Sequence, residues 1–370
     1  MLAGGVRPVK VPSLDLYRAD DPFRTPARSE FRDWLDVAEW GLMSTAGFPE
    51  PLTFSVRLAR ALRGRRAEFD VLHDNQGLGY GMLALRRQGF PLVTTVHHPI
   101  TVDRSLDLAS APTWRKRVAV RRWYGFVRMQ KRVLRRVGRV VTVSESSARD
   151  LCRDMGARRA QLRVVPVGVD TALFRPLPGV ARVPGRLVTT ASADVPMKGM
   201  AVLLEALAKL RTEREGAHLV IVGPPRADGL VAPAVERLGL EGAVTVAGVV
   251  PAERLVELYG EAEVAVVPSL YEGFSLPAVE AMACGVPLVT TTGGALPEVV
   301  GRHGETALLA PPGDPSALAA ALGRALGSGS VGLRARLGSA GRERVVERYS
   351  WRRTAELTAD QYREVMAAPC

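Results

Sequence analysis

Glu272 and Glu280 stand eight residues apart in the segment 264–300, VAVVPSLYEGFSLPAVEAMACGVPLVTTTGGALPEVV. Its apolar opening reads as a strand feeding a loop with Glu272 and Gly273, and Pro277 marks the first turn of a short helix holding Glu280. That layout puts free backbone N–H groups and a positive dipole end at the carboxyl edge of a parallel strand, where open α/β sheets bind ligands. The N–H groups attract an anion while a carboxylate accepts two vicinal hydroxyls, which suits a ligand with both phosphates and sugars. Taken alone, the pair is more simply a helix-capping glutamate beside a surface glutamate. Lys198, in Pro196-Met197-Lys198-Gly199, is by itself a solvated surface charge, and His73 and His97, each ending a strand-like run, are by themselves core histidines.

Positioning such a site requires a sheet. The 370 residues predict two domains of roughly 150 to 200 residues each. Strand-like runs at 187–190, 218–222, 244–247, 264–267 and 287–291 alternate with helical spacing over 200–210 and 253–259, the rhythm of a parallel, doubly wound sheet. Upstream, 70–73, 91–97, 140–143 and 164–167 are strand-like with helices between, giving a second α/β unit. Between the halves, 175–185 (RPLPGVARVPG) holds three prolines and two glycines and reads as a linker. The expected domains are 1–178 and 186–350. Helical spacing over 344–366 breaks near Ser350, which fits a final helix at about 351–370 packing back on the first domain, or two ordinary surface helices.

Composition removes several function classes. With 47% hydrophobic and 24% charged residues there is apolar material for full cores and no sign of bulk disorder. No apolar run reaches the ~18 residues of a membrane span and no secretory signal opens the chain, so a cytoplasmic place is expected. Cys152, Cys284 and Cys370 lack metal-ligand spacing and form no closed disulfide set. Charge is uneven: residues 1–180 hold 31 Lys and Arg against 17 Asp and Glu, and the remainder 19 against 21. Eleven of those cations lie between Arg115 and Arg139, interleaved with Trp114, Val118, Trp123, Phe126, Met129, Val133 and Val137. Such a stretch either packs on its own sheet with a solvated basic face or meets an anionic membrane at the inner face of the cell membrane. No nucleic-acid motif accompanies it, so no nucleic-acid partner is expected.

The whole segment around Glu272 changes the odds on the glutamate pair. Pro268-Ser269-Leu270-Tyr271-Glu272-Gly273-Phe274-Ser275-Leu276-Pro277, then Glu280-Ala281-Met282-Ala283-Cys284-Gly285-Val286-Pro287, then Gly293-Gly294-Ala295-Leu296-Pro297-Glu298, resembles the retaining, nucleotide-sugar-dependent glycosyltransferases of family 4 (glycosyl transferases group 1). Val143-Ser144-Glu145-Ser146 resembles the family's V-S motif, and Gly168-Val169-Asp170 with Phe174 its N-G-V-D-x-x-x-F, with Val167 in place of the usual Asn. Thr95-Val96-His97 resembles the loop that brings a histidine to the sugar.

The resemblance implies the GT-B architecture, two Rossmann-like domains facing across a cleft. It implies a catalytic set of Glu272 near the reacting carbon, Lys198 against the charge of the leaving diphosphate, and His97 on the sugar side. Donor binding falls to Glu280 on the ribose hydroxyls and to the amides of Gly273, Phe274, Ser275 and Leu276 on the sugar and diphosphate. Ser275 replaces a common glycine, and Ser192 stands where the family usually has a diphosphate-gripping arginine. With no Asp-x-Asp motif, a metal-independent transfer without cofactor is expected, moving a hexose or similar sugar from a nucleoside diphosphate donor such as a UDP- or GDP-sugar to an acceptor hydroxyl, lipid-linked acceptors included. The alternative is an impaired GT-B protein that binds a sugar nucleotide or partner without turnover. At the start, MLAGGVRPVK runs into VPSLDLYRADDPFRTP without the strand, glycine turn and helix that open such a domain. The N-terminal sheet is therefore expected to lack its first β-α unit and to leave an edge open to self-association.

Overall fold

The structure, a computed structural model, describes residues 5–18, 20–190, 195–224 and 229–367. It divides into two compact α/β units: Met1–Thr142, Ala148–Val164 and Ala359–Cys370 form one, and Val143–Ser147 with Val165–Thr358 the other.

The first unit holds β1 (Leu72–Asn75), β2 (Leu92–Val96), β3 (Arg139–Thr142) and β4 (Leu162–Val164), all parallel and in that order. Every residue of β2 is buried, as expected of a strand covered by helices on both faces. Leu85, Phe90, Val133, Leu134, Leu151 and Leu162 form the core beneath those helices. Helices Glu50–Ala61 and Tyr80–Arg87 touch at Gly81, where a Cβ would stand 1.8 Å from the Ser55 carbonyl oxygen, so a glycine is what allows the contact. Among the described residues no strand precedes β1, which is an edge strand.

The second unit is one parallel sheet of six strands: β5 (Val183–Thr190), β6 (His218–Val222), β7 (Val244–Gly248), β8 (Ala262–Val267), β9 (Leu288–Thr291) and β10 (Leu308–Ala310), in the order β10-β9-β8-β5-β6-β7. Alternation sends neighbouring residues to opposite cores. Leu187, Val264 and Val266 join helix Met200–Arg211 on one face, while Val188, Ala265 and Val267 join helix Leu276–Ala283 on the other. The chain reverses its winding between β5 and β8, the crevice where doubly wound sheets place ligands.

The segment 165–174 packs with the second unit, since Val169 and Phe174 are buried in its core, and Val183 to Gly185 belong to β5. Two expectations need correction. Strand β10 has no counterpart among the expected strands; three residues are too few to show a period. The apolar side of the basic stretch also splits. Met129, Val133, Leu134 and Val137 are buried in the first unit's core, whereas Trp114 and Val118, on helix Trp114–Trp123, are 71% and 45% exposed.

At the C-terminus, helices Val331–Arg348 and Trp351–Ala367 break where the 349–351 backbone meets Gly168; a Cβ there would lie 2.5 Å from Trp351 Cα. From Ala359 on, the last helix belongs to the first unit: Tyr362 Oη lies 2.6 Å from His73 Nδ1, and Arg139 bonds Gln361 and Glu364. Among the described residues no helix is long and apolar enough to cross a membrane.

Candidate active site

In the second unit, β8 ends at Val267 and the chain turns through 268–275 into helix Leu276–Ala283 at the carboxyl edge of the sheet. Glu272, 8% exposed, sits in this turn. Its Oε1 accepts from Lys198 Nζ at 2.8 Å and from Ser269 Oγ at 2.7 Å. Lys198 closes the short 3-10 turn Pro196–Lys198 after β5, and two contacts tie that turn to the Glu272 loop. The Leu270 N–H donates to the Met197 carbonyl at 2.8 Å, and Gly199, at φ +68°, lies so near the Pro268 carbonyl that a Cβ would come within 2.1 Å of it. An ammonium and a carboxylate are thus held together at the start of a helix.

The surrounding motifs serve to fix that loop. Ser144 Oγ and Ser147 Oγ donate to the Gly273 carbonyl at 2.7 and 3.2 Å. A trans peptide points its N–H opposite to its carbonyl, so this anchor turns the Phe274 N–H to the other side of the loop. The Glu298 carboxylate accepts the N–H groups of Glu145 and Ser146 at 2.9 and 3.2 Å, capping helix Glu145–Asp150, which carries Ser147. Gly293 and Gly294 lie directly against the loop backbone. A Cβ on Gly293 would meet the Leu270 carbonyl oxygen at 2.5 Å, and one on Gly294 the Glu272 carbonyl oxygen at 2.3 Å. The Glu272 carbonyl also accepts the Ala295 N–H at 2.8 Å.

Ser275 precedes the helix at φ +100°, a conformation that favours glycine, and its buried hydroxyl has no partner among the described residues. The common glycine at this position thus has a backbone reason, which Ser275 overrides at a cost of about 1–3 kcal/mol. Phe274 is buried edge-on to the Tyr349 ring, with centroids 5.4 Å apart, so its side chain is core and only its backbone is left for a ligand. Leu276, 42% exposed, opens the helix. Glu280 lies on its second turn, half-buried, and its carboxylate has no hydrogen-bond partner among the described residues; burial raises its carboxyl above the ordinary range. The charge of Glu280 adds to burial in pushing the Cys284 thiol up to about 12.

His97 belongs to the first unit, just beyond β2. Its Nε2 lies 2.8 Å from Asn75 Oδ1 and its backbone N–H donates to Gln76 Oε1 at 2.8 Å. Partial burial and neighbouring His98 lower its pKa, leaving a neutral imidazole at pH 7. His73 is held between Tyr362 and Thr95 Oγ1, so its partners are structural. Ser192 lies outside the described residues. The structure therefore gathers Glu272, Lys198, the 273–276 backbone and Glu280 in one unit and sets His97 in the other. Sequence reasoning assigned no role to Ser269 or Ser147; Ser269 was detectable three residues before Glu272, on the same side of a tight turn.

Comparison with known proteins also divides the chain in two, between residues 173 and 184. A model described as Glycosyltransferase Family 4 matches residues 15–173, and one described as Glycosyl transferases group 1 matches residues 184–328. The chain is 52% identical over 362 residues to the MMP alpha-(1->4)-mannosyltransferase of Mycolicibacterium hassiacum, covering 98% of this chain and 87% of that protein. It is 34% identical over 334 residues to the D-inositol 3-phosphate glycosyltransferase of Acidothermus cellulolyticus, covering 85% and 71%. Among solved structures, sucrose-phosphate synthase from Thermosynechococcus elongatus aligns with TM-score 0.69 at 28% identity, covering 85% of this chain and 78% of that one. HepE of Anabaena, solved with UDP, shares the fold at TM-score 0.68 and 20% identity, covering 84% and 82%. With both units matched and the Glu272 segment intact, the chain belongs to glycosyltransferase family 4, the glycosyl transferases group 1, and is a glycosyltransferase of GT-B fold.

Proposed function

We propose that the protein transfers mannose from a nucleoside diphosphate-mannose to the 4-hydroxyl of an acceptor sugar, forming an α-(1→4) bond with retention. The observation that carries this reading is the Lys198–Ser269–Glu272 cluster at a helix start, in a chain 52% identical over nearly its whole length to an α-(1→4)-mannosyltransferase. The bond between C1 and the diphosphate oxygen breaks with its electron pair going to the diphosphate, the acceptor oxygen bonds to C1, and the acceptor proton leaves with the departing phosphate. Lys198 and the helix N-terminus stabilise the charge that develops on the leaving group, so no metal is required. Glu272 faces the cationic character that grows at C1, Glu280 accepts the ribose hydroxyls, and His97 contacts the sugar as a neutral imidazole.

The test is nucleotide release from a panel of GDP-, UDP-, ADP- and TDP-sugars with α-(1→4)-mannooligosaccharide acceptors, with and without EDTA. Mannose transfer that persists in EDTA is expected. Lys198→Ala and Glu272→Ala lower kcat by orders of magnitude, whereas Glu280→Ala mainly weakens donor binding. Firm donor binding without release under any acceptor would favour the non-catalytic alternative.

A second feature bears on where the enzyme works. Trp114, Val118, Arg121 and Arg122 fall on one stripe of helix Trp114–Trp123, exposed and bordered by Arg115 and Lys116. This supports contact with the anionic inner face of the membrane. The protein is expected to sediment with vesicles containing anionic lipid and to leave them at high salt. Undiminished sedimentation after Arg121 and Arg122 become glutamine would remove this surface from the account.

A further inference from the structure

A cavity of about 350 Å³ opens in the first unit, bounded by the 11–13 segment, helix Trp34–Ser44, helix Glu50–Ala61 and Gly77 just beyond the carboxyl end of β1. Glu50, Phe54 and Arg57 line it at helical spacing, and Glu39 and Phe48 complete its wall. Phe48 is fixed by aromatic neighbours, Tyr17 at 5.6 Å, Trp123 at 5.1 Å and Phe126 at 5.4 Å between centroids. Phe54 is 48% exposed, an apolar ring with no such packing among the described residues.

The charge of this wall is opposite to that of its surroundings. Residues 1–180 carry fourteen more cations than anions, yet the described residues lining the cavity include Glu39, Glu50 and a single cation, Arg57. That guanidinium is already bound by Asp36 and Glu39. Glu39 Oε2 is engaged with Arg57 and the Leu14 N–H, which leaves Oε1 a contact of 3.5 Å from Thr53 Oγ1. Glu50 has no hydrogen-bond partner among the described residues, and partial burial together with Glu39 and Asp15 raises its carboxyl above the ordinary range. A ligand bringing hydroxyl donors and no charge satisfies these oxygens; a phosphate would add to the repulsion.

We propose that this cavity is a binding site for an uncharged saccharide, with the sugar's apolar face on Phe54 and its hydroxyls donating to Glu50 and Glu39. The assignment rests on the mannosyl-transfer reading for the choice of sugar. It adds that the saccharide held here is neutral and not phosphorylated. Aromatic rings and carboxylates are the pairing that recognises such a ligand, and ~300–1,000 Å³ is the common size of a small-ligand pocket.

The experiment measures binding, not turnover, so it stands apart from the fate of the catalytic assignment. Saturation-transfer NMR and calorimetry on the full chain compare α-(1→4)-mannotetraose with D-inositol 3-phosphate. The test variants are Phe54→Ala and Glu50→Gln, both at exposed positions, with thermal melts to establish folding. Mannotetraose is expected to bind, with its Kd raised at least fivefold by Phe54→Ala and about threefold by Glu50→Gln, while the phosphate binds more weakly. Mannotetraose binding unaltered by either folded variant would place the sugar elsewhere. Tighter binding of the phosphate, or no binding of mannotetraose to the wild-type chain with GDP present, would overturn the proposal.

Discussion

Gly294→Ala isolates the dependence of the active site on one close approach. Gly294 has φ +63°, so alanine there carries a backbone cost of about 1–2 kcal/mol. Its Cβ would also stand 2.3 Å from the Glu272 carbonyl oxygen and 2.8 Å from the Glu272 nitrogen, both backbone atoms that no rotamer can move aside. Real Cβ contacts stay beyond 3.0 Å, so the strand end or the Glu272 loop must shift by about 0.7 Å. A misplacement near 1 Å costs on the order of 100-fold in rate, so kcat/KM is expected to fall about 10- to 100-fold. Stability should fall by about 2–3 kcal/mol, the backbone cost plus the strain of overpacking. Gly304→Ala is the matched control: φ is +81° but nothing lies within 4 Å of its Cβ, so it shares the backbone cost without the clash. Urea unfolding and steady-state transfer on both variants give the comparison. Wild-type turnover by Gly294→Ala, or equal loss of turnover in Gly304→Ala, would refute the argument that this contact positions the catalytic loop.

Other consequences are open to direct measurement. Ser275→Gly is expected to stabilise the protein by about 1 kcal/mol in urea unfolding, since it relieves the φ +100° strain and removes a buried unpaired hydroxyl against a smaller entropic cost; destabilisation would show that the hydroxyl has a partner. Glu298→Ala should cost about 1–2 kcal/mol and lower turnover through the Ser144 and Ser147 anchor, whereas Glu298→Gln, which keeps an acceptor, should recover part of both; equal effects of the two would remove the cap from the account. Burial raises the Glu280 carboxyl, so the folded protein keeps a proton that the unfolded chain releases near pH 4.5. Its contribution to stability is therefore present below that pH and lost as pH rises through the folded value, while donor affinity, which needs the carboxylate, rises over the same window. Glu280→Gln should flatten both trends in calorimetry across pH 4 to 7, and unchanged slopes would exclude Glu280 as their source.

The contiguous part of the site is legible in the sequence because one strand–loop–helix carries it. A run of apolar residues, a glutamate and glycine, a proline at a helix start and a second glutamate specify their own local geometry, and the order of strands and helices specifies a doubly wound sheet. Lys198 joins them because it, too, follows a strand of that sheet. What periodicity could not supply was contact between segments distant in the chain. Ser144 and Ser147 meet the Gly273 carbonyl across more than 120 positions, and Glu298 reaches the N–H groups of residues 145 and 146 across a longer gap. The same limit hides the packing of 165–174: 175–185 has a linker's composition, yet Val169 and Phe174, before it, are buried in the second unit. It also explains why the basic stretch reads as one amphipathic surface when packing buries Val133 and Val137 and leaves Trp114 exposed. Sequence determined which residues can do the chemistry and which faces are apolar, since both are local properties of side-chain type and spacing. The tertiary structure alone decided which carbonyls are anchored, which glycines admit a neighbouring backbone and which carboxylates remain unpaired, because each depends on atoms brought within a few ångströms by the folding of the whole unit.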